Sequence, residues 1–166
     1  MNEYRGLLKK FLYMVVVMAI ALSTVEPVLA ASKGYGFSYN NEKIAPGQAA
    51  SKFLKAAGEA NSVKKSDSCA TKGYDYTYEY DDFTIITYTE EKTKKAKQYV
   101  SSITFKSSNV KTNEGIKIGS KESTVKKKYK GAKKKFGVYT SKKGATIINI
   151  TITKKKVSAI EIIKAE

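Results

Sequence analysis

A repeated spacing of glycine and apolar residues constrains the fold of this 166-residue chain more than any other feature. Gly47 and Gly119 lie 72 residues apart, and each is followed six residues later by an apolar residue, Phe53 or Val125. That period is too long for a solenoid repeat and is typical of two copies of a small domain. We therefore expect an α+β fold of two tandem modules, each a helix packed on a small antiparallel β-sheet.

The first module is predicted to span residues 31–113 and the second residues 114–166. Between Ala50 and Gly58, apolar residues follow the i, i+3, i+4, i+7 rule for one face of a helix, and the glycine can end that helix. The second predicted helix has a thinner apolar stripe around Val125. Each helix is predicted to be followed by three strands, because the apolar period changes from 3.6 to 2 residues.

The predicted strands differ in how clearly they alternate, and the clearest is a run of tyrosines after the first helix. A tight turn at Asp81 and Asp82 joins that run to the next strand. Residues 35–39 are an additional candidate strand, and 110–113 are the predicted linker. The predicted strands are 74–80, 83–88 and 99–105 in the first module, and 138–140, 146–153 and 157–163 in the second.

The first thirty residues predict export. Arg5 and two lysines precede an uncharged apolar run at 11–22, and a Val-Leu-Ala sequence favours cleavage between Ala30 and Ala31. The run is too short for a spanning helix, which needs roughly 20 apolar residues. We expect a secreted protein, extracellular or associated with the cell wall, with no membrane span after cleavage.

The chain is strongly basic, with 31 basic and 15 acidic residues and a net charge of +16. Nucleic acid is the usual partner of such a chain, but export argues against it, and we expect no nucleic-acid partner. After cleavage every basic residue is a lysine, which offers a solvated point charge rather than the planar donor set of arginine. This composition favours an anionic envelope polymer or anionic lipid over a shaped anion pocket. The alternative, favoured because most charge runs are solvated faces, is that the lysines only keep the protein soluble.

One cluster of lysines in the second module is the candidate anion-binding site. If the end of the second helix and two lysine-containing turns, at 142–143 and 154–156, converge, the surface attracts anionic polymers. If the lysines are dispersed, they only keep the protein soluble, and the sequence leaves both alternatives open. The cluster comprises Lys126, Lys127, Lys128, Lys130, Lys133, Lys134 and Lys135.

The tyrosine strand is the candidate partner-binding site, formed by Tyr74, Tyr76, Tyr78 and Tyr80. On one face of a sheet, four tyrosines present a flat surface for a sugar ring or a partner protein. The alternative is a core position, because the predicted tight turn places Tyr80 opposite Phe83 on an apolar face. The predicted pairing favours the core.

The residue inventory disfavours catalysis and cofactor binding. Histidine is absent and Cys69 is the single cysteine, so histidine-based triads, Cys/His zinc sites and an intramolecular disulfide are excluded. For Cys69 we expect burial, with pairing between chains as the alternative. A hydrolase using Asp75, Asp81 and Asp82 is disfavoured because a short hairpin provides no cleft. We predict no cofactor, no metal and no enzymatic activity.

The turn and strand motifs resemble a known group of proteins. The segment 115–120, followed by Val125, Tyr129 and Gly131 and then hairpins, resembles the tandem modules of the β-lactamase inhibitory protein family. Residues 68–70, the tyrosine strand, and residues 99–103, 110–112 and 114–120 also resemble uncharacterised exported proteins of gut-dwelling Gram-positive bacteria, and the resemblance covers most of residues 35–163. The resemblance implies a non-catalytic module that holds another macromolecule against an exposed sheet face or loop. Inhibition of a β-lactamase does not carry over, since no contact residue can be matched.

The functional expectation is therefore an exported, non-catalytic binding or interaction protein of the cell envelope or extracellular space. Its partner, an unidentified protein or an anionic envelope polymer, is not specified by the sequence. A lysine-rich adhesin for anionic wall polymers is the first alternative, and the disfavoured hydrolase is the second.

Overall fold

Strands dominate the part of the chain that the structure describes. The computed structural model describes residues 34–165, and of these 45% are in strands and 11% in helices. The predicted signal segment and its cleavage site lie outside the described residues. The expected α+β fold of two helix-plus-sheet modules is wrong, because the described chain is mostly β and builds one large sheet.

Two short helices interrupt a series of ten strands. Both helices have seven residues, and each precedes a run of four strands rather than the three predicted. In chain order the elements are β1 (Phe37–Tyr39), β2 (Glu42–Ile44), α1 (Ser51–Ala57), β3 (Ser62–Asp67), β4 (Tyr74–Glu79), β5 (Phe83–Tyr88), β6 (Tyr99–Phe105), α2 (Glu122–Lys128), β7 (Lys133–Lys135), β8 (Val138–Lys143), β9 (Thr146–Thr153) and β10 (Lys156–Lys164).

The pairing of β6 with β10 explains why the sheet is continuous. The eight strands lie in the order β3-β4-β5-β6-β10-β9-β8-β7, all antiparallel, so two four-stranded meanders meet at this pair. Ile103 lies opposite Ile162, and Phe105 lies opposite Ile160. All four side chains are buried. The two meanders thus share one apolar face instead of covering two separate small sheets.

Within the eight-stranded sheet, the strands that the sequence did not predict are the two outermost ones. β3 and β7 have sequences rich in lysine and without apolar alternation, and most of their side chains are exposed. Charged residues are a common device on edge strands, because they discourage pairing with another chain. Position at the edge therefore explains both the composition of these strands and the failure of the alternation rule to find them.

The two glycines that are 72 residues apart in the sequence lie in two turns of the same kind. The amide of Gly47 donates to the carbonyl of Val100 over 2.7 Å, and that of Gly119 donates to the carbonyl of Val157 over 2.8 Å. Both glycines have left-handed backbone conformations, with φ of 87° and 86°. Since the two acceptors lie on β6 and β10, both turns are fixed to the two central strands of the same sheet.

An aromatic cluster closes the core over the first meander. The predicted strand at 35–39 is present as β1, which pairs with β2 in a separate two-stranded sheet. The ring of Phe37 lies 5.4 Å from that of Phe53, 5.0 Å from Phe83 and 5.2 Å from Phe105. The amide of Tyr35 donates to Thr146 Oγ1 over 2.6 Å, so the same segment also contacts the second meander.

The segment predicted as a linker is packed rather than free. Thr112 forms a β-bridge with Phe37, and the amide of Asn113 donates to the carbonyl of Gly36 over 2.9 Å. Val110 and Thr112 are buried. The connection between the meanders is therefore held against β1.

Phe37→Ala should destabilise the fold strongly, because the side chain is fully buried among three other phenylalanines. We expect a loss of about 3–5 kcal/mol in the free energy of unfolding, measured by urea denaturation of the chain starting at Ala31. Phe136→Ala is the matched control, since that phenylalanine is 93% exposed, and it should change stability by less than about 0.5 kcal/mol. Equal effects of the two substitutions would contradict this description of the core.

Candidate functional site

The register of the β4–β5 hairpin places the predicted tyrosines on the face of the sheet that carries the core. Tyr78 lies opposite Ile85, and the amide of Tyr80 donates to the carbonyl of Phe83 over 2.9 Å. This confirms the predicted tight turn at Asp81 and Asp82. Tyr80 is only 7% exposed and belongs to the core, and burial raises the pKa of its phenol.

The remaining tyrosines extend outward from the core along the same strand. We call Tyr74, Tyr76 and Tyr78 the tyrosine ladder; all three are half-buried. Tyr78 packs at the edge of the core, and its hydroxyl donates to Gln98 Oε1 over 2.8 Å. The rings of Tyr76 and Tyr78 are stacked with centroids 6.4 Å apart, and Tyr74 continues the row at 6.4 Å from Tyr76.

Two lysines lie over the outer end of the tyrosine ladder. Lys65 Nζ is 3.5 Å from the ring centroid of Tyr74, and Lys92 Nζ is 5.2 Å from it. Lys92 also forms an ion pair with Asp67 over 2.7 Å, and the hydrogen bond that its ammonium donates to this carboxylate raises the pKa of Lys92. An ammonium over an aromatic face is attracted by the ring quadrupole, so the outer end of the ladder combines aromatic faces with positive charge.

The lysines of the second candidate site are arranged around one carboxylate. Glu122 Oε1 accepts hydrogen bonds from Lys134 Nζ at 2.8 Å and from the hydroxyl of Tyr139 at 2.7 Å, and it lies 3.9 Å from Lys126 Nζ. The hydrogen bond from Lys134, with a smaller contribution from Tyr139, holds the pKa of Glu122 below its ordinary value of 4.5. The helix and the edge strand are thereby joined.

The turn at 154–156 joins this cluster, whereas the turn at 142–143 does not. Lys154, Lys155 and Lys156 line an open depression together with Lys121 and Lys126. The β7–β8 turn lies at the same end of the sheet, because the amide of Ile152 donates to the carbonyl of Gly137 over 2.9 Å. The turn at 142–143 lies at the opposite end of β8, where Lys143 pairs with Glu114 over 3.4 Å.

We call the surface formed at this end of the second meander the basic end. The remaining predicted lysines of α2, β7 and the segment between them are exposed as well. Glu122 is the single acidic residue among the members of the depression. The basic end comprises Lys121, Lys126, Lys134, Lys135, Phe136, Lys154, Lys155 and Lys156.

Sequence reasoning missed Phe136, which is 93% exposed at the tip of the β7–β8 turn. The available signal was Gly137 directly after Phe136 and three lysines, because glycine tolerates the positive φ that a two-residue hairpin turn requires. Lys135 Nζ lies 5.2 Å from its ring centroid. Among the described large apolar residues, Phe136 is far more exposed than Val63, at 53%.

A further aromatic pair lies on the face of the sheet opposite the core. Tyr88 and Tyr99 are cross-strand neighbours with ring centroids 5.8 Å apart. Lys164 Nζ lies 5.2 Å from the ring centroid of Tyr88, and Asp75 lines the same recess. Alternation in β5 places Tyr88 away from the core, and the β5–β6 pairing, which contains a bulge, places Tyr99 beside it. The sequence did not mark them as a pair.

The carboxylates weighed as a hydrolytic pair lie at opposite ends of the hairpin. Asp75 lies at the start of β4 opposite Tyr88, whereas Asp81 and Asp82 form the turn after the end of that strand. Asp81 accepts a hydrogen bond from Asn61 Nδ2 over 2.6 Å, and Asp82 accepts one from Asn109 Nδ2 over 2.9 Å. The turn carboxylates therefore stabilise loops.

The expected burial of Cys69 is wrong, since its thiol is exposed. Cys69 lies in the connection between β3 and β4, outside the core, where no strand alternation sets its direction. Within residues 34–165, no group of three or more His, Cys, Asp or Glu side chains could hold a metal ion. None of the described helices has the length and apolar character needed to cross a membrane.

No protein-family model, curated protein or solved structure matches the chain.

Glu122→Gln should lower stability at neutral pH and lose this effect in acid. A carboxylate whose pKa is lowered by folding contributes stability above its ordinary pKa, and this contribution disappears as the pH falls through the lowered value. The difference in unfolding free energy from the parent should therefore be constant above about pH 5.5 and shrink below about pH 4.5. Urea denaturation between pH 3 and 7 measures it, with the exposed Glu59→Gln as the control. A difference that persists unchanged at pH 3 would contradict the ion-pair arrangement.

Proposed function

We propose that this chain is an exported, non-catalytic binding protein of the cell envelope or extracellular space, which holds a partner protein at the tyrosine ladder. The observation that supports it best is that the tyrosines of β4 extend in one row from the core to the surface of the sheet. Tyr80 is part of the core, Tyr78 lies at its edge, and Tyr76 and Tyr74 lie beyond it.

The chemistry of the ladder suits protein recognition. Tyrosine contributes a large apolar face and a polar tip at low entropic cost, and it is enriched among residues that dominate binding energy. The rings stand on a strand paired on both sides, so they are held in place before the partner arrives. Preorganisation of this kind reduces the entropic cost of association. Lys65 and Lys92 add a preference for a partner with acidic residues next to its apolar contact.

The position of Cys69 makes the proposal directly testable. Its exposed thiol lies in the connection between Asp67 and Tyr74, which face each other at the outer end of the ladder. A photo-crosslinker attached to this thiol in the chain starting at Ala31 should capture the partner from the envelope fraction or medium of the producing organism. Tyr74→Ala combined with Tyr76→Ala should reduce the adduct at least about tenfold, as expected for the loss of two central aromatic contacts.

The matched control is Tyr88→Ala, which removes the same side chain from the opposite face of the sheet. We expect it to leave the adduct unchanged. An adduct of equal yield with the double variant, or one lost only with Tyr88→Ala, would contradict the proposal that the ladder is the binding site.

A lysine-rich adhesin for anionic wall polymers is the second candidate function, and the convergence of two turns and a helix at the basic end favours it. Binding through exposed lysines is screened by salt, whose Debye length is about 3 Å at 1 M. Retention on teichoic-acid-bearing walls that 1 M salt abolishes would support this function. Capture at the tyrosine ladder should resist the same salt.

A further inference from the structure

The basic end contains one residue, Phe136, whose presence is not explained by the positive charge of this surface. Phe136 is 93% exposed, and it lies at the tip of a hairpin whose flanking residues are lysines. Single exposed apolar residues are common on protein surfaces, but this one has both a distinctive backbone conformation and a distinctive environment.

The backbone at Phe136 is unfavourable for a large side chain. Its φ is 49°, and that of Gly137 is 81°. Lys135 pairs with Val138, so Phe136 and Gly137 are the two central residues of a hairpin turn in which both φ angles are positive. Asn-Gly is the preferred pair for such a turn, and a bulky residue with positive φ is uncommon. Local stability therefore does not account for a phenylalanine at this position.

The β9–β10 turn has the same character next to it. Lys154 and Lys155 are its central residues, with φ of 50° and 61°. Non-glycine residues other than Asn and Asp rarely adopt this conformation. The two turns lie at the same end of the sheet, as the hydrogen bond from Ile152 to Gly137 shows. One presents an aromatic ring and the other presents two ammonium groups.

We propose that the basic end docks on an anionic lipid surface, with Phe136 entering the interface and the surrounding lysines lying at the phosphate level. A lipid interface offers an apolar layer directly beneath a layer of negative charge, and this order matches an exposed ring surrounded by lysines. A soluble or wall-bound polyanion offers the charge without the apolar layer, so it leaves the ring of Phe136 in water. This inference is independent of the tyrosine ladder, which lies in the other meander.

The first test compares vesicle binding of variants that keep the hairpin folded. The chain starting at Ala31 should bind vesicles of phosphatidylglycerol and phosphatidylcholine and bind pure phosphatidylcholine much more weakly. Phe136→Asn creates the preferred Asn-Gly turn and should unfold at the same or a higher temperature than the parent. It should nevertheless weaken binding to the anionic vesicles about tenfold, as expected for the loss of a buried aromatic contact.

Three further variants separate the contribution of the Phe136 ring from that of the lysines. Val63→Ser removes the other exposed large apolar side chain among residues 34–165, which lies on the far edge strand, and should leave vesicle binding unchanged. Lys154→Asn with Lys155→Gly also creates an Asn-Gly turn and should weaken binding about tenfold or more at low salt. Since the chain has no tryptophan, Phe136→Trp provides a single indole whose emission should shift to shorter wavelength on anionic vesicles and be quenched by brominated lipids.

Three results would overturn the proposal. The first is equal vesicle binding by Phe136→Asn and the parent, and the second is an indole emission that vesicles do not change. The third is binding that depends on Lys154 and Lys155 but is the same on a soluble polyphosphate as on vesicles, because it would show a site for anionic polymers only.

Discussion

The pairing of β6 with β10 is the interaction on which the rest of the structure depends. It brings Ile103 next to Ile162 and Phe105 next to Ile160, so the apolar faces of two meanders become one core. Each meander alone has an edge strand made largely of exposed polar residues and a helix of only two turns. Such units bury too little apolar surface to be stable by themselves. The β6–β10 pair joins their apolar faces, so each meander buries more apolar surface than it could alone.

This pairing also places the two candidate surfaces at corresponding positions of the sheet. The outer end of the tyrosine ladder lies beside the connection of the first two strands of one meander, and Phe136 lies in the connection of the first two strands of the other. Because β6 and β10 are antiparallel, those connections lie at opposite ends and opposite edges. A protein bound at one and a lipid surface at the other would not compete for space.

The sequence predicted those parts of the fold that local patterns specify. Alternation found β4, β5 and β9, and the glycine spacing found the two turns at Gly47 and Gly119. These local patterns could not reveal the β6–β10 pair, because the pairing of strands far apart in the chain depends on a shared core rather than on a local period. The charged edge strands lacked alternation altogether. For the candidate sites, composition identified the tyrosines and lysines, whereas the exposure and backbone conformation of Phe136 became evident in the structure.

The central claim is that the two meanders form one cooperative unit through β6 and β10, and native-state hydrogen exchange of the chain starting at Ala31 tests it most directly. Backbone amides of β5 and β9 should open with the same free energy, and Ile103→Ala should lower that energy equally in both strands. Protection lost in β5 while β9 stays fully protected would show that the meanders unfold separately, and it would contradict this account.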